Sequence, residues 1–370
     1  MKENFRFEGQ HETITPQLVI DRAQLDRNTD HAIDMIGDVS RLWPHVKSHK
    51  MAAIVLRLMA KGIDKFKCAT IAELEMVART GASKALLAYP LVGVNIPRFL
   101  ALQKAFPDTE VLALTDDVQQ MHLMEEECRK TGEHISLLCD VNVGMNRTGI
   151  LPDRIDSFFA ESSKLDHVSL VGFHCYDGHR HEKELAQRKS HTDLTYAMIK
   201  EKIATLKQNG FDIRYLIMGG SPTFPCYAPY EDVYCSPGTI FINDAGYSAS
   251  YADLDFPPAA AILTRVISNP APGAFTLDLG YKGIASDPAG SRGVIVGLDN
   301  VEEQFQSEEH WAWRMKSGHE DECPVVGDEL FVIPTHICPT SALYPYAIVI
   351  ENGRIVDRYE TTARNRKITF

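Results

Sequence analysis

The feature that most constrains this chain is a rhythm. From about residue 15 to 250, short β-rich runs alternate with helix-length amphipathic segments. Strands are expected at Phe66–Cys68, Ala85–Ala88, Val111–Leu114, Ser136–Cys139, Val168–Val171, Tyr215–Met218 and near Val233. The stretch before Lys47 brings the count to about eight. Helices are expected over Ile71–Arg79, Pro97–Ala105, Asp117–Thr131 and Glu184–Asn209. Eight β/α units over roughly 235 residues is the size of a (β/α)8 TIM-type barrel. A doubly wound open sheet would favour a Gly-rich fingerprint after its first strand, and no such fingerprint stands there.

The pattern changes past residue 250. Pro257, Pro258, Pro270 and Pro272 punctuate the chain and helical periodicity stops. Alternating runs follow at Phe275–Asp278, Gly293–Val296 and Leu330–Ile333. Two more, Ala347–Ile350 and Ile355–Tyr359, flank Asn352-Gly353, a strong hairpin signal. The expected organisation is therefore a barrel over 15–250 and a smaller, mostly-β domain over 251–370. Residues 1–14 are read as either a polar tail or a strand added to the β-domain.

Bulk properties narrow the class of function. With 370 residues, 44% hydrophobic and 24% charged, the chain suits a soluble two-domain enzyme. Its net charge is −12, with no compensating basic stripe, so no nucleic-acid partner is expected. No apolar run is long enough to span a membrane, and the start Met1–Arg6 lacks the apolar core of a signal peptide. The eight cysteines contain no C-x-x-C pair, which argues against a structural zinc finger and for reduced thiols in the cytoplasm.

In a barrel, chemistry gathers at the C-terminal ends of the strands. The run Trp43-Pro44-His45-Val46-Lys47-Ser48-His49-Lys50 falls at one such end. Read as a strand, it places His45, Lys47 and His49 on one face. A lysine between imidazoles suits attachment of an aldehyde cofactor as a Schiff base; a solvated basic cluster is the plain alternative. Gly219-Gly220-Ser221-Pro222-Thr223 and Ser236-Pro237-Gly238-Thr239 follow the last two strands, where backbone N–H groups and hydroxyls can hold a phosphate. Either could equally be an ordinary turn. Arg147 can clasp a phenolate or carboxylate, or be a surface loop residue. Tyr176 can stack on a flat ring, or be a core tyrosine. In Pro334-Thr335-His336-Ile337-Cys338, an extended segment would put His336 and Cys338 on one face. Imidazole and thiolate suit Zn2+, and two protein ligands leave positions open for water or substrate.

Taken together and in order, these residues resemble the D-threonine aldolase and D-serine dehydratase family, pyridoxal-phosphate enzymes with the alanine racemase fold. The resemblance runs from Thr15-Pro16-Gln17-Leu18-Val19-Ile20-Asp21 through Pro44–Lys50, Cys68-Ala69-Thr70, Gly144–Gly149, Tyr176–His179, Gly220–Thr223 and Pro237–Thr239. In the β-domain it continues through Asp278–Lys282, Ser307–His310 and Gly327-Asp328 to His336-Ile337-Cys338. It implies that Lys47 holds pyridoxal 5'-phosphate, Arg147 bonds its phenolic oxygen and Tyr176 packs on its ring. Gly220, Ser221, Thr223, Gly238 and Thr239 would hold the phosphate. His336 and Cys338 would bind a divalent metal, Zn2+ or Mn2+. Racemases of this fold carry an arginine where this chain has Ser236, facing the pyridine nitrogen. A hydroxyl there imposes no cation, which suits a ring acting as a stronger electron sink.

The resemblance further implies a D-3-hydroxy amino acid substrate and a homodimer. D-threonine aldolase-like cleavage to glycine and an aldehyde is the first expectation. D-serine dehydratase-like elimination to a 2-oxo acid and ammonia is the second. A racemase or a non-catalytic pyridoxal-phosphate carrier is a further alternative. His45 and His49 are the candidates for acid–base work beside Lys47.

Overall fold

A computed structural model describes residues 5–370. These form two compact units, one of residues 32–47, 54–238 and 365–370, the other of residues 5–31, 48–53 and 239–364. The first strand, β1 (Gln17–Asp21), belongs to the second unit.

The first unit is a parallel barrel sheet. Its strands are β2 (Lys65–Cys68), β3 (Lys84–Pro90), β4 (Glu110–Thr115), β5 (Ile135–Asp140), β6 (Val168–Cys175), β7 (Tyr215–Met218) and β8 (Tyr234–Cys235). Each pairs with the next in chain order. Most fall within a residue or two of the apolar runs in the sequence. The helices between them do too: Ile71–Arg79, Asn95–Ala105, Val118–Thr131 and Leu185–Gln208. Side chains that the sequence supplies at their starts fix two of these helices. Thr70 accepts from the N–H of Glu73, and Asp117 from that of Gln120.

The eighth position is filled by a short segment rather than a full strand. Leu42 bridges Cys235 and His45 bridges Lys67, both in parallel. The Trp43 N–H donates to the Cys235 carbonyl at 2.8 Å, and the Lys67 N–H to the Pro44 carbonyl at 2.8 Å. The ladder ends at His45. Val46–Ser48 is then a single turn of 3-10 helix, so the expected common face of His45, Lys47 and His49 does not form. The reason is the barrel rim: the pairing partners run out, and the chain must turn to leave the strand end. Inside the unit, Trp43 packs with Leu86, Leu112, Leu138, Val171 and Ile217, all buried. Its indole N–H donates to the Phe66 carbonyl at 2.6 Å, so the largest side chain there leaves no polar atom unpaired.

The second unit is a mixed sheet. Its further strands are β9 (Ala260–Ser268), β10 (Ala274–Leu277), β11 (Gly293–Ile295), β12 (Val301–Gln306), β13 (Trp311–Met315), β14 (Glu329–Pro334), β15 (Tyr346–Glu351) and β16 (Arg354–Glu360). The order is β12-β13-β10-β9-β1-β15-β16, with β14 joining β9 to β11. β1 runs antiparallel to β9 and parallel to β15. The β15–β16 hairpin turns on Asn352 and Gly353, at φ 51° and 72°, as the Asn-Gly pair demands. One helix interrupts the β pattern. Ile337–Leu343 is helical with His336 just before it, so Cys338 does not lie on an extended segment as the sequence suggested. Pro339 sits in its first turn, where a missing N–H costs little, and the Thr340 hydroxyl donates to the His336 carbonyl at 2.8 Å.

Candidate active site

At the C-terminal end of the barrel strands the predicted cofactor residues converge on one ring. Tyr176 follows β6, and its centroid lies 5.7 Å from Lys47 Nζ and 4.8 Å from Arg147 Cζ. The ring is clamped in place. A Cβ on Gly178 would meet it at 2.4 Å, and one on Gly220 at 2.9 Å. Only glycine fits on either side, so Tyr176 is a fixed platform. A cavity of about 490 Å3 opens beside it, lined by His45, Lys47, Ala69, Tyr89, Arg147 and Thr148.

The loops after β7 and β8 lie beside this platform, Gly220 against its ring. The Gly238 N–H donates to Ser221 Oγ at 3.1 Å, tying the loop after β8 to the loop after β7. Thr223 Oγ1 accepts from the Gly220 N–H at 3.2 Å and donates to Asp177 Oδ1 at 2.8 Å. Thr223 therefore braces its loop from beneath. Asp177 is fully buried with Oδ2 unpaired, and burial raises its carboxyl to about 6. Small residues, hydroxyls and backbone amides are the donor set a phosphate requires, so these loops fit that group.

The histidines divide sharply. His45 is buried, and its Nδ1–H donates to the Lys67 carbonyl at 2.9 Å, which leaves Nε2 as the basic atom. Burial, reinforced by Lys47 and Lys67, holds it well below the usual histidine range, so it is neutral. His49 takes another part. Its Nδ1 accepts from the Met51 N–H at 3.0 Å, and burial, with Lys50 next, lowers it to about 3. It holds the backbone N–H of Met51 in the second unit.

Three further groups stand here to which the sequence assigned no role. His174 Nδ1 donates to Asp140 Oδ1 at 2.7 Å, and the Thr148 hydroxyl to Asp140 Oδ2 at 2.7 Å. Burial works against the Asp140 charge, but these partners hold the carboxylate below its ordinary value. Lys67 is the third. It is 2% exposed, and its Nζ donates to Ser236 Oγ at 2.5 Å, so a lysine amine stands beside the hydroxyl the sequence offered. A lysine in the four-residue strand Lys65-Phe66-Lys67-Cys68 was the available signal.

In the second unit, His336 Nδ1 pairs with Asp287 Oδ2 at 2.5 Å. A carboxylate on one ring nitrogen is how proteins aim the other at a metal. Cys338 Sγ lies 3.3 Å from Thr239 Oγ1 and 3.3 Å from Ser48 Oγ. The Thr239 hydroxyl thus faces the thiol. Burial opposes protonation of His336, but its bonds to Cys338 and Asp287 win and raise it to about 9. Among the described residues no cluster of three or more candidate ligands occurs. The pair fits a metal only as a two-ligand site completed by other oxygen or nitrogen donors.

A lysine, an arginine and a clamped tyrosine at the mouth of a parallel barrel, with a separate β-unit, define the alanine racemase class of fold. The chain belongs to that family: the family described as "Alanine racemase, N-terminal domain" matches residues 20–243, and "Putative serine dehydratase domain" matches residues 259–350. The chain is similar to a D-threonine aldolase of Arthrobacter sp, 26% identical over 361 residues that cover 95% of this chain and 92% of the relative. It is similar also to a D-serine dehydratase of Schizosaccharomyces pombe, 22% identical across 96% of this chain and 94% of that one. Among solved structures, D-threonine aldolase from Filomicrobium marinum shares the fold with a TM-score of 0.88 at 23% identity, over 98% of this chain and 99% of that chain.

Proposed function

We propose that this protein is a pyridoxal-phosphate- and divalent-metal-dependent lyase that cleaves D-3-hydroxy amino acids to glycine and an aldehyde. The observation that carries the reading is the convergence of Lys47 and Arg147 on the clamped ring of Tyr176, beside two phosphate-type loops. Similarity to a D-threonine aldolase along nearly the whole chain supports the choice of substrate.

Lys47 would anchor the cofactor covalently and Arg147 its phenolic oxygen, with Ser221, Gly220 and Gly238 on the phosphate. When bound, pyridoxal phosphate supplies an electron sink for charge developing at the substrate's α-carbon. The chain's own residues do the rest. Tyr176 holds the plane on which Cα bonds are aligned. His45, neutral with Nε2 unprotonated, accepts the proton of the 3-hydroxyl as the Cα–Cβ bond breaks. His336 and Cys338 would hold Zn2+ or Mn2+, whose contribution is to acidify that hydroxyl. The eight cysteines form no disulfide, which suits the cytoplasm, and the reading includes a homodimer.

The second reading is elimination to a 2-oxo acid and ammonia. The thiol of Cys338 favours it, since a soft ligand selects zinc, the better acid for helping a hydroxyl leave. Product analysis decides. D-threonine should yield glycine and acetaldehyde. Pyruvate from D-serine with no glycine from D-threonine would overturn the aldolase reading in favour of the dehydratase.

A further inference from the structure

The mechanism above leaves unused a buried lysine set against the Tyr176 ring. In β2, alternation sends Lys65 and Lys67 to one side and Phe66 and Cys68 to the other. Lys67 is 2% exposed. Its Nζ lies 5.5 Å from the centroid of Tyr176, so it shares the platform that carries Lys47 and Arg147. It donates to Ser236 Oγ at 2.5 Å, while the Ser236 hydroxyl donates to the Gly219 carbonyl at 3.1 Å. The serine's one proton is therefore already engaged. A polar atom arriving at this place meets a remaining N–H of Lys67.

We propose that Lys67 is the positioning residue of the cofactor's pyridine nitrogen: its Nζ, held by Ser236, donates a hydrogen bond to that nitrogen and keeps it unprotonated. The inference rests on the pyridoxal-phosphate reading. Pyridoxal phosphate has four polar points. Lys47 takes the aldehyde carbon, Arg147 the phenolic oxygen and the two loops the phosphate. The ring nitrogen is the point left, and of the three cations set against the Tyr176 ring, Lys67 is the one left. A protonated nitrogen beside an ammonium would put two like charges in a dry site, so the proton stays on Lys67. The ring then withdraws electrons less strongly, and cleavage leans more on groups acting at the substrate hydroxyl.

The charges around Lys67 make this pairing sensitive to pH. In the cofactor-free chain, burial and then Lys47 bring it down to about 7, against Asp177 and Asp140, with Arg147 lowering it further. His45 and His174 also face it.

The test is nitrogen-15 NMR of holoenzyme reconstituted with ring-labelled pyridoxal phosphate, followed across neutral pH. Wild type should show an unprotonated, hydrogen-bonded nitrogen whose resonance moves as Lys67 titrates. Lys67→Met should shift that resonance, abolish its Lys67-linked pH dependence and weaken cofactor binding about tenfold. Ser236→Ala keeps the charge but removes its anchor, and should move the resonance in the same direction. It also stands alone if Lys67→Met does not fold. A protonated nitrogen in wild type, or a resonance unchanged in the folded variants, overturns the proposal. Borohydride mapping of the same samples separates two failures. Cofactor fixed on Lys47 with an unchanged resonance defeats the role of Lys67 alone. Absence of cofactor on any lysine defeats the reading beneath it.

Discussion

The Nδ1–H of His45 is bonded to the carbonyl of Lys67 at 2.9 Å, and this contact both adds to the bonds between the closing segment of the barrel and β2 and sets the tautomer of the imidazole. With Nδ1 protonated, Nε2 is the basic atom of a residue that lines the same cavity as Lys47. His45→Asn retains a donor for the Lys67 carbonyl and removes the base. It should fold normally, bind cofactor, and lose about 10²–10⁴-fold in kcat. Because burial keeps His45 neutral, its protonation should produce no step near the ordinary histidine pKa in the profile of kcat against pH. A fully active His45→Asn would show that another group takes the hydroxyl proton.

His49 predicts the opposite pattern. Its Nδ1 holds the Met51 N–H, and it is 1% exposed. His49→Ala strands that donor and opens a cavity, so it should cost roughly 2–4 kcal/mol of stability. Turnover of the folded fraction should stay within a few fold of wild type. Urea unfolding and kcat on the same preparation check both halves.

Lys67 makes the cofactor-free protein pH-sensitive. Its folded value is about 7, against about 10.4 for an unfolded lysine. Between these the unfolded state binds the proton that the folded state has lost, so stability rises with pH. Below about pH 7 the penalty of the buried charge is present in full. Lys67→Met should therefore be more stable than wild type in mildly acidic buffer, by roughly 1–3 kcal/mol. The advantage should shrink steadily above about pH 7. Denaturant midpoints measured across that range test it, and an advantage that does not vary with pH contradicts it.

The metal pair gives a separable prediction. Chelation should stop turnover and leave the cofactor's visible absorbance in place, since the residues proposed to hold the cofactor, Lys47, Arg147 and Ser221 among them, lie in the barrel unit and His336 and Cys338 in the other. His336→Ala and Cys338→Ala should each lower bound metal, read by elemental analysis, and cut kcat by at least about tenfold. Full turnover by both variants would remove the metal from the mechanism.

Much of this architecture was legible because periodicity and turn chemistry are local. Ile71–Arg79 is a helix in the structure over the residues its apolar spacing marked, and Asn352-Gly353 makes the hairpin it announces. What was not legible depends on partners distant in the chain. The strand expected through Lys47 stops at His45 because the ladder to Cys235 and Lys67 ends there. The extended His336–Cys338 segment is the start of a helix, a boundary that Pro339 permits but does not announce. Lys67 and Ser236 stand far apart in sequence, and only the closing of the barrel brings ammonium to hydroxyl. Alternation within four residues cannot tell an inward lysine from an outward one until the barrel gives the strand an inside.

The central claim is that Lys47 is the cofactor's anchor, and borohydride reduction of the pyridoxal-phosphate-loaded protein followed by peptide mapping tests it most directly. The account predicts one labelled peptide, with the cofactor on Lys47, and no label in Lys47→Ala. A label confined to another lysine, or no label on the wild-type protein, would contradict it.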